Sequence, residues 1–531
     1  MPPFTVFVDA GSTGSRIHTF AVASSSRRGG RRRSQGLTFR PACEPAALQT
    51  PLTSLAEAAT GAAAAAASAA WTYLQPLVEH VSESCIPDPE QLGGSPLHVW
   101  ATAGMRLLPV QDQNAVYAAL RSAVAGHTRF QLAPAAGGSS PAFATIDGES
   151  EGFFAWLAVN TLYGTDFSTV LTTSDVAPAL RGTVGALDLG GGSTQVVVAA
   201  PEIGGQKRKA DVPRKALVAD TDAPIAALRD VAYVRTVLGA GAVALEASVK
   251  AALLVDGGKG GKQVSNPCAF EGYDEQGTPP QRVSLQGTGS LDACMGLVQA
   301  ALLHLDPRPK LLPKHSTEQQ FVALSLYYHV AHFLAVAAPA GNATLLAALS
   351  GGSKKNHVVA LSPPPPFPFP NPTPGELSAR CSLLCALPWS VVQHHLQGVD
   401  PNTPPPRLHG RCFDCARVVT LLSSTTVGYG FPPNSRQIVF LDKVNGTAVE
   451  WTLGAAVATL HPALVAAHVA QTRANVGLGA LCAAAAAALA LLVTRGAPQG
   501  HAASEGASSE TAIDVGRHVG ALDISPSKSD D

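Results

Sequence analysis

Two segments of the chain share one grammar: an apolar run, an Asp, a glycine-rich turn carrying small hydroxylated residues, and a second apolar run. The first is Phe7-Val8-Asp9-Ala10-Gly11-Ser12-Thr13-Gly14-Ser15-Arg16, and the second is Ala186-Leu187-Asp188-Leu189-Gly190-Gly191-Gly192-Ser193-Thr194-Gln195. Each reads as strand, turn and strand. Glycines let the backbone approach phosphate oxygens, successive N–H groups form an anion-binding nest, and Ser and Thr hydroxyls add donors. An Asp at the end of such a strand can hold a hydrated divalent cation that offsets phosphate charge. One glycine-rich turn after a strand is commonplace. Two copies predict two similar domains that present facing phosphate clamps to one cleft, with a polyphosphate between them.

Further polar segments fit between the clamps. Thr102 follows an apolar run in Ala101-Thr102-Ala103-Gly104-Met105-Arg106-Leu107 and could cap a helix, bond a metal-bound water, or both. In Asp147-Gly148-Glu149-Ser150-Glu151-Gly152-Phe153 carboxylates open a helix that contains Asn160. First-turn carboxylates often serve only the helix dipole, but between two phosphate clamps one of them is placed to activate water as a general base.

The elements that position these groups can be read from pattern. Strands are expected at Phe4–Val8, Leu97–Ala101, Thr183–Leu187 and Gln195–Ala199, and one long Ala-rich helix over Leu52–Val81, kinked at Pro76. Strands alternating with helices predict an α/β architecture. Arg27–Arg33 reads as a solvated basic hairpin tip, Gly204–Lys209 and Gly257–Lys262 as Gly/Lys loops, and Pro363–Pro374 as an extended Pro-rich loop.

The chain has 531 residues, room for about two to four domains. Its 37 basic and 38 acidic residues leave a net charge of −1, which excludes a global field for nucleic acid. A hydrophobic fraction of 46% excludes disorder throughout and leaves room for one membrane span. The uncharged segment 475–494 just meets the spanning length and reads as a transmembrane anchor; the Ser-rich tail 495–531 reads as disordered. The nine Cys, with sequons at Asn342 and Asn445, point to an oxidising compartment.

With these motifs in hand, the chain resembles the apyrase family: the nucleoside triphosphate diphosphohydrolases and Golgi-type nucleoside diphosphatases of the actin-like ATPase superfamily. The resemblance runs from about Phe4 to Leu460 and rests on the Asp9 hairpin, Ala101–Leu108, Gly148–Asn160, the Asp188 hairpin and Trp451-Thr452-Leu453-Gly454. It implies two ribonuclease H-like lobes around a cleft: lobe I over 1–147, completed by 438–466, and lobe II over 148–437. It also implies divalent-cation-dependent hydrolysis of the terminal phosphate of nucleoside tri- and/or diphosphates, without a covalent intermediate. Asp9, Thr102, Glu151, Asp188 and Trp451 would line a hydrated Ca²⁺ or Mg²⁺ site. Gly11, Ser12, Thr13, Gly14, Ser15 and Arg16, with Gly190, Gly191, Gly192 and Ser193, would hold phosphates, and Tyr327 and Tyr328 would stack the nucleobase. Glu151 matches the catalytic base, by register over Glu149, while Ser193 and Gln195 match the residues that orient the attacking water. Arg235-Thr236 departs from the family's His-Ser and leaves base or sugar contacts there open.

The same resemblance implies disulfides Cys268–Cys294 and Cys385–Cys412, with Cys381–Cys415 as an additional pair; the C-x3-C and C-x2-C spacings could instead hold zinc. It implies a catalytic domain in the Golgi or secretory lumen or outside the cell, whereas Met1 stands only a few residues before the first strand, with no signal peptide between. A start that lacks its signal is favoured over a C-terminal span acting alone with a cytosolic active site. The alternative enzyme is an exopolyphosphatase-like phosphohydrolase of the same superfamily, which has no reason to carry Trp451–Gly454, sequons or paired Cys. A non-enzymatic nucleotide switch requires the base to be missing, and Glu151 is present.

Overall fold

β1 (Phe4–Ala10) places Val6, Phe7 and Val8 at 0–1% exposure, the double-sided burial of an inner strand. The computed structural model describes residues 4–29, 32–132, 141–165, 167, 180, 182–200, 228–229, 232–257, 263–276, 283–310, 312, 318–337 and 366–460, of which 24–29, 32–37 and 256–257 by backbone alone. All of them belong to the unit Met1–Ala466. The loops 204–209 and 258–262, the sequon at Asn342, Cys482, the segment 475–494 and the tail 495–531 lie outside the described residues. Among the described residues no helix is long and apolar enough to cross a membrane.

β1 forms an antiparallel hairpin with β2 (Ser15–Gly29), which continues antiparallel to β3 (Arg32–Pro41) and β4 (Ala46–Leu48). On its other side β1 runs parallel to β5 (Leu97–Ala101), and β5 to β6 (Phe143–Thr145), giving the order β3-β2-β1-β5-β6. Residues 27–29 and 32–33 of the basic segment thus form the far end of the β2–β3 strands, with Arg28 paired to Arg33.

The second sheet repeats this plan. β7 (Gly185–Leu189) and β8 (Ser193–Ala199) form the antiparallel hairpin, β9 (Ala232–Leu238) extends it, and a small sheet of β10 (Gln263–Asn266), β11 (Asp274–Glu275) and β12 (Ser284–Gly287) follows. β13 (Phe321–Ala323) then runs parallel to β7, and β14 (Ile438–Phe440) parallel to β13, giving β9-β8-β7-β13-β14. The duplicated motif is therefore embedded in a duplicated topology. The expected boundary at 438 is corrected by this pairing: Ile438–Phe440 closes the second sheet, and the chain turns back only afterwards. It does so through the hairpin β15 (Lys443–Val444) and β16 (Thr447–Ala448), whose two-residue turn has positive φ at Asn445 and Gly446.

Each sheet carries its own hydrophobic cluster, and a third lies between them. The central cluster is built on the helix Gly148–Leu162, where Phe153 to Val159 are at most 2% exposed, so that the helix is buried on all sides. It packs against β7, β8 and β9 and meets Trp100 of β5 and Trp451 from the first sheet's side. Gly454 is required here by close approach: a Cβ at that position would collide with the carbonyl oxygen of Phe154. The single long helix expected over Leu52–Val81 is instead a short turn, a break near Gly61 and a helix over Ala63–His80. Glycine ends the first turn despite the Ala-rich surroundings.

Four disulfides are present among the described residues. Cys268–Cys294, Cys381–Cys415 and Cys385–Cys412 all lie in the second sheet's half, and Cys43–Cys85 in the first; the sulfurs of the second half bond to one another rather than to zinc. The Cys43–Cys85 bridge was not foreseen from the sequence.

Candidate active site

The turns of the two hairpins face each other across a cleft of about 140 Å³. They come so close that a Cβ on Gly191 would strike the side chain of Ser12, and one on Gly192 would strike the side chain of Ala103, which follows Thr102 at the end of β5. The carbonyls of Gly190, Gly191 and Gly192 are tied back by the N–H groups of Ala242, Val243 and Gly239, so this turn is left to present donors to the cleft. Gly11, Ser12, Thr13, Gly14 and Arg16 line the opposite wall.

Register places the acids. Asp9 ends β1 opposite Arg16, and Asp188 ends β7 opposite Gln195. Burial first, then repulsion from Glu450 and Glu151, pushes Asp9 up to about 8, against the attraction of Arg16 and a hydrogen bond from Trp451. Burial likewise raises Asp188, partly offset by a hydrogen bond from Ser325, a cleft residue held at positive φ. Each Asp keeps one buried Oδ1 without a hydrogen-bond partner among the described residues. Buried carboxylate oxygens without donors are costly, and a hard cation is the partner that suits them. Thr102 also lines the cleft; it occupies a helix N-cap position, but its hydroxyl makes no capping bond. Trp451, 6% exposed, stacks on Trp100 with ring centroids 6.4 Å apart. The donor set Asp9, Thr102, Glu151 and Asp188 therefore fits a hydrated divalent cation.

Glu151 sits in the first turn of the buried helix, whose N-terminus is capped by Asp147 accepting from the Ser150 N–H at 2.6 Å. Its Oε2 accepts from the Arg106 guanidinium and from Gln195 Nε2 at 3.0 Å. The same Nε2 also reaches Ser193 Oγ at 2.9 Å, while Gln195 Oε1 lacks a partner among the described residues. Burial raises the Glu151 pKa and the Arg106 charge opposes the rise. Glu149 points elsewhere: it is 51% exposed and pairs with Arg229 at 3.0 Å.

Three expected contacts are not made. Ser15 is fully buried and shares its hydroxyl with Tyr73 at 2.8 Å, so it braces the hairpin rather than facing phosphate. Tyr327 is also fully buried, with its hydroxyl 3.1 Å from Thr194 Oγ1, which leaves no ring face for a nucleobase. Tyr328, 7% exposed, packs on His332 and Phe369 away from the cleft. An adjacent aromatic pair on a helix is equally a core signal, and the core prevailed. Conversely, Arg106, Ser325 and Glu450 were not assigned roles from the sequence, although Arg106 and Glu450 lie within or beside the motifs that carry the site.

The chain is 30% identical over 203 residues to the nucleoside-diphosphatase mig-23 of Caenorhabditis elegans, which is 38% of this chain and 34% of that protein. It is 24% identical to the Golgi apyrase of Schizosaccharomyces pombe over 68% of this chain and 59% of that one, and 23% identical to human ectonucleoside triphosphate diphosphohydrolase 4 over 72% and 62%. These alignments thus span between about a third and six-tenths of the relatives' lengths. In fold, the chain is similar to a nucleoside triphosphate hydrolase crystal structure from Neospora caninum, with a TM-score of 0.53, 16% identity, and coverage of 86% of this chain and 92% of that one. The profile of the GDA1/CD39 (nucleoside phosphatase) family matches residues 2–344, and the chain belongs to that family.

Proposed function

We propose that the cleft hydrolyses the terminal phosphate of nucleoside di- and/or triphosphates in the presence of a divalent cation. The observation that carries this reading is the position of Glu151, a buried carboxylate held by Arg106 and Gln195 at the junction of two facing glycine-rich turns.

Ser12, Thr13 and the Gly190–Gly192 turn bind the phosphates, and Arg16 adds a positive charge from the β2 side. Because Arg106 and Gln195 both occupy Oε2 of Glu151, its Oε1 is left to take a proton from water as the water attacks phosphorus in line. Ser193 and Gln195 orient that water, and Gln195 Oε1 is the free acceptor available for it. Asp9, Thr102, Glu151 and Asp188 would hold Ca²⁺ or Mg²⁺, with Trp451 fixing Asp9 through its hydrogen bond; when bound, such a cation would supply charge to offset that of the phosphates. Burial keeps solvent from competing for these groups.

The relatives named Golgi apyrase and ectonucleoside triphosphate diphosphohydrolase support a secretory-pathway or membrane setting for this chain as well, and four disulfides suit an oxidising compartment. Anchorage through 475–494 belongs to the same proposal. Phosphate release from ATP, ADP, GDP, UDP and inorganic polyphosphate, each with Ca²⁺, Mg²⁺ or a chelator, tests the reading. Metal-dependent release from nucleotides is expected; release from polyphosphate alone, or turnover untouched by chelation, contradicts it.

A further inference from the structure

A fourth carboxylate enters the cleft from a direction that the two hairpins do not supply. Glu450 follows the β15–β16 hairpin and immediately precedes Trp451, and its carbonyl accepts the Leu453 N–H at 3.0 Å as the next helix begins. The geometry fixes it: Val449 is tied to the Asp442 carbonyl at 2.9 Å, and Gly454 is clamped against the Phe154 backbone, so the residue between them is held at the cleft wall. Glu450 lines the cleft together with Asp9, Asp188 and Arg16, and also borders the neighbouring hollow that contains His18 and Lys443.

Charge balance gives this position a meaning. Asp9, Glu151, Asp188 and Glu450 are the acids of the cleft; Arg106 is engaged with Glu151, and Arg16 is the cleft's other guanidinium. With all four ionised, their negative charges against two positive ones leave a deficit equal to one divalent cation. Without Glu450 the deficit is a single charge. Glu450 shares the wall of one small cleft with Asp9 and Asp188, so like charges crowd there. The buried, partnerless Oδ1 atoms of Asp9 and Asp188 mark the place at which a cation would resolve this repulsion.

We propose that Glu450 is a further carboxylate of the divalent-cation site, adding its charge to those of Asp9 and Asp188 and leaving Arg16 free for phosphate. The inference rests on the reading of the cleft as cation-dependent. Calorimetric titration of the nucleotide-free full chain with Ca²⁺ and with Mg²⁺, paired with melting in EDTA, tests it without turnover. Glu450→Gln is expected to raise the cation Kd at least tenfold, to shrink the cation-induced rise in Tm, and to melt no lower than the unsubstituted protein in EDTA, since a repelling charge is gone. Glu450→Asp is expected to keep part of the affinity. Equal cation affinity in the unsubstituted protein and Glu450→Gln overturns the inference while leaving the proposed activity intact. A Glu450→Gln protein that melts lower in EDTA overturns it in favour of a structural pairing with Arg16. No cation binding by the unsubstituted protein overturns both the inference and the reading beneath it.

Discussion

The two hairpins occupy equivalent places in equivalent sheets, yet their residues have parted company. At the strand end both carry Asp; directly opposite it, the first has Arg16 and the second Gln195. Arg16 faces the cleft as a charge, while Gln195 is buried and bonds the Glu151 carboxylate. The first turn offers the hydroxyls of Ser12 and Thr13, and the second offers a glycine backbone whose carbonyls are tied back. Two residues further along β2, His18 lies buried opposite Phe7; the matching register position opposite Ala186 on β8 is Val197. In the proposed reaction, one fold repeated twice divides the work: the first hairpin would draw the anion, and the second, with Glu151, would handle water.

The largest difference between the halves lies in covalent bracing. Among the described residues the second half contains three of the four disulfides, two of which join the helices Pro374–Cys385 and Arg411–Ser423. A bridge of this kind contributes about 2–4 kcal/mol. Removing Cys381–Cys415 and Cys385–Cys412 together by Cys→Ala is expected to lower unfolding free energy in urea more than removing Cys43–Cys85, and equal losses would erase the contrast.

The division of chemistry comes next in size. Gln195→Leu is expected to lower kcat about a hundredfold with little change in KM, since it removes a contact to Glu151 and Ser193. Arg16→Gln, which gives the first hairpin the residue of the second, is expected to raise KM about tenfold and change kcat less. Steady-state kinetics of both variants check this; interchangeable effects would mean that the hairpins share rather than divide the reaction.

The smallest effect concerns acid. Burial, with Arg16 nearby, lowers the His18 pKa from 6.5 to about 3. The unfolded chain therefore takes up this proton first as pH falls, and stability present above pH 6.5 is lost progressively toward pH 3, at no more than about 1.4 kcal/mol per pH unit for one proton. His18→Val, the residue at the matching position of the second hairpin, is expected to flatten the decline of Tm between pH 6.5 and 5. An unchanged slope would show that His18 does not distinguish the halves.

Much of this was legible because its causes are local. The Asp-Gly grammar, the apolar strands and the carboxylates at the helix start announce themselves in short windows, and register then brings Asp9, Glu151 and Asp188 into one cleft. What escaped depends on distant partners. Ser15 looked like a phosphate donor until Tyr73, far along the chain, claimed its hydroxyl, and Tyr327 looked like a base platform until Thr194 did the same. Arg106 stood in a quoted motif, but nothing local reveals that its guanidinium would meet Glu151. The boundary at Ile438 failed for a similar reason: a three-residue strand takes its sheet from its neighbour, β13, rather than from its own pattern.

Glu151 is proposed to activate water on a phosphate held by the two hairpins. That role is tested most directly by Glu151→Gln, with phosphate release and ADP or ATP binding measured on the same metal-loaded preparation. Release reduced by about a hundredfold or more, with nucleotide still bound, is expected. A Gln variant that releases phosphate at the unsubstituted rate would contradict it.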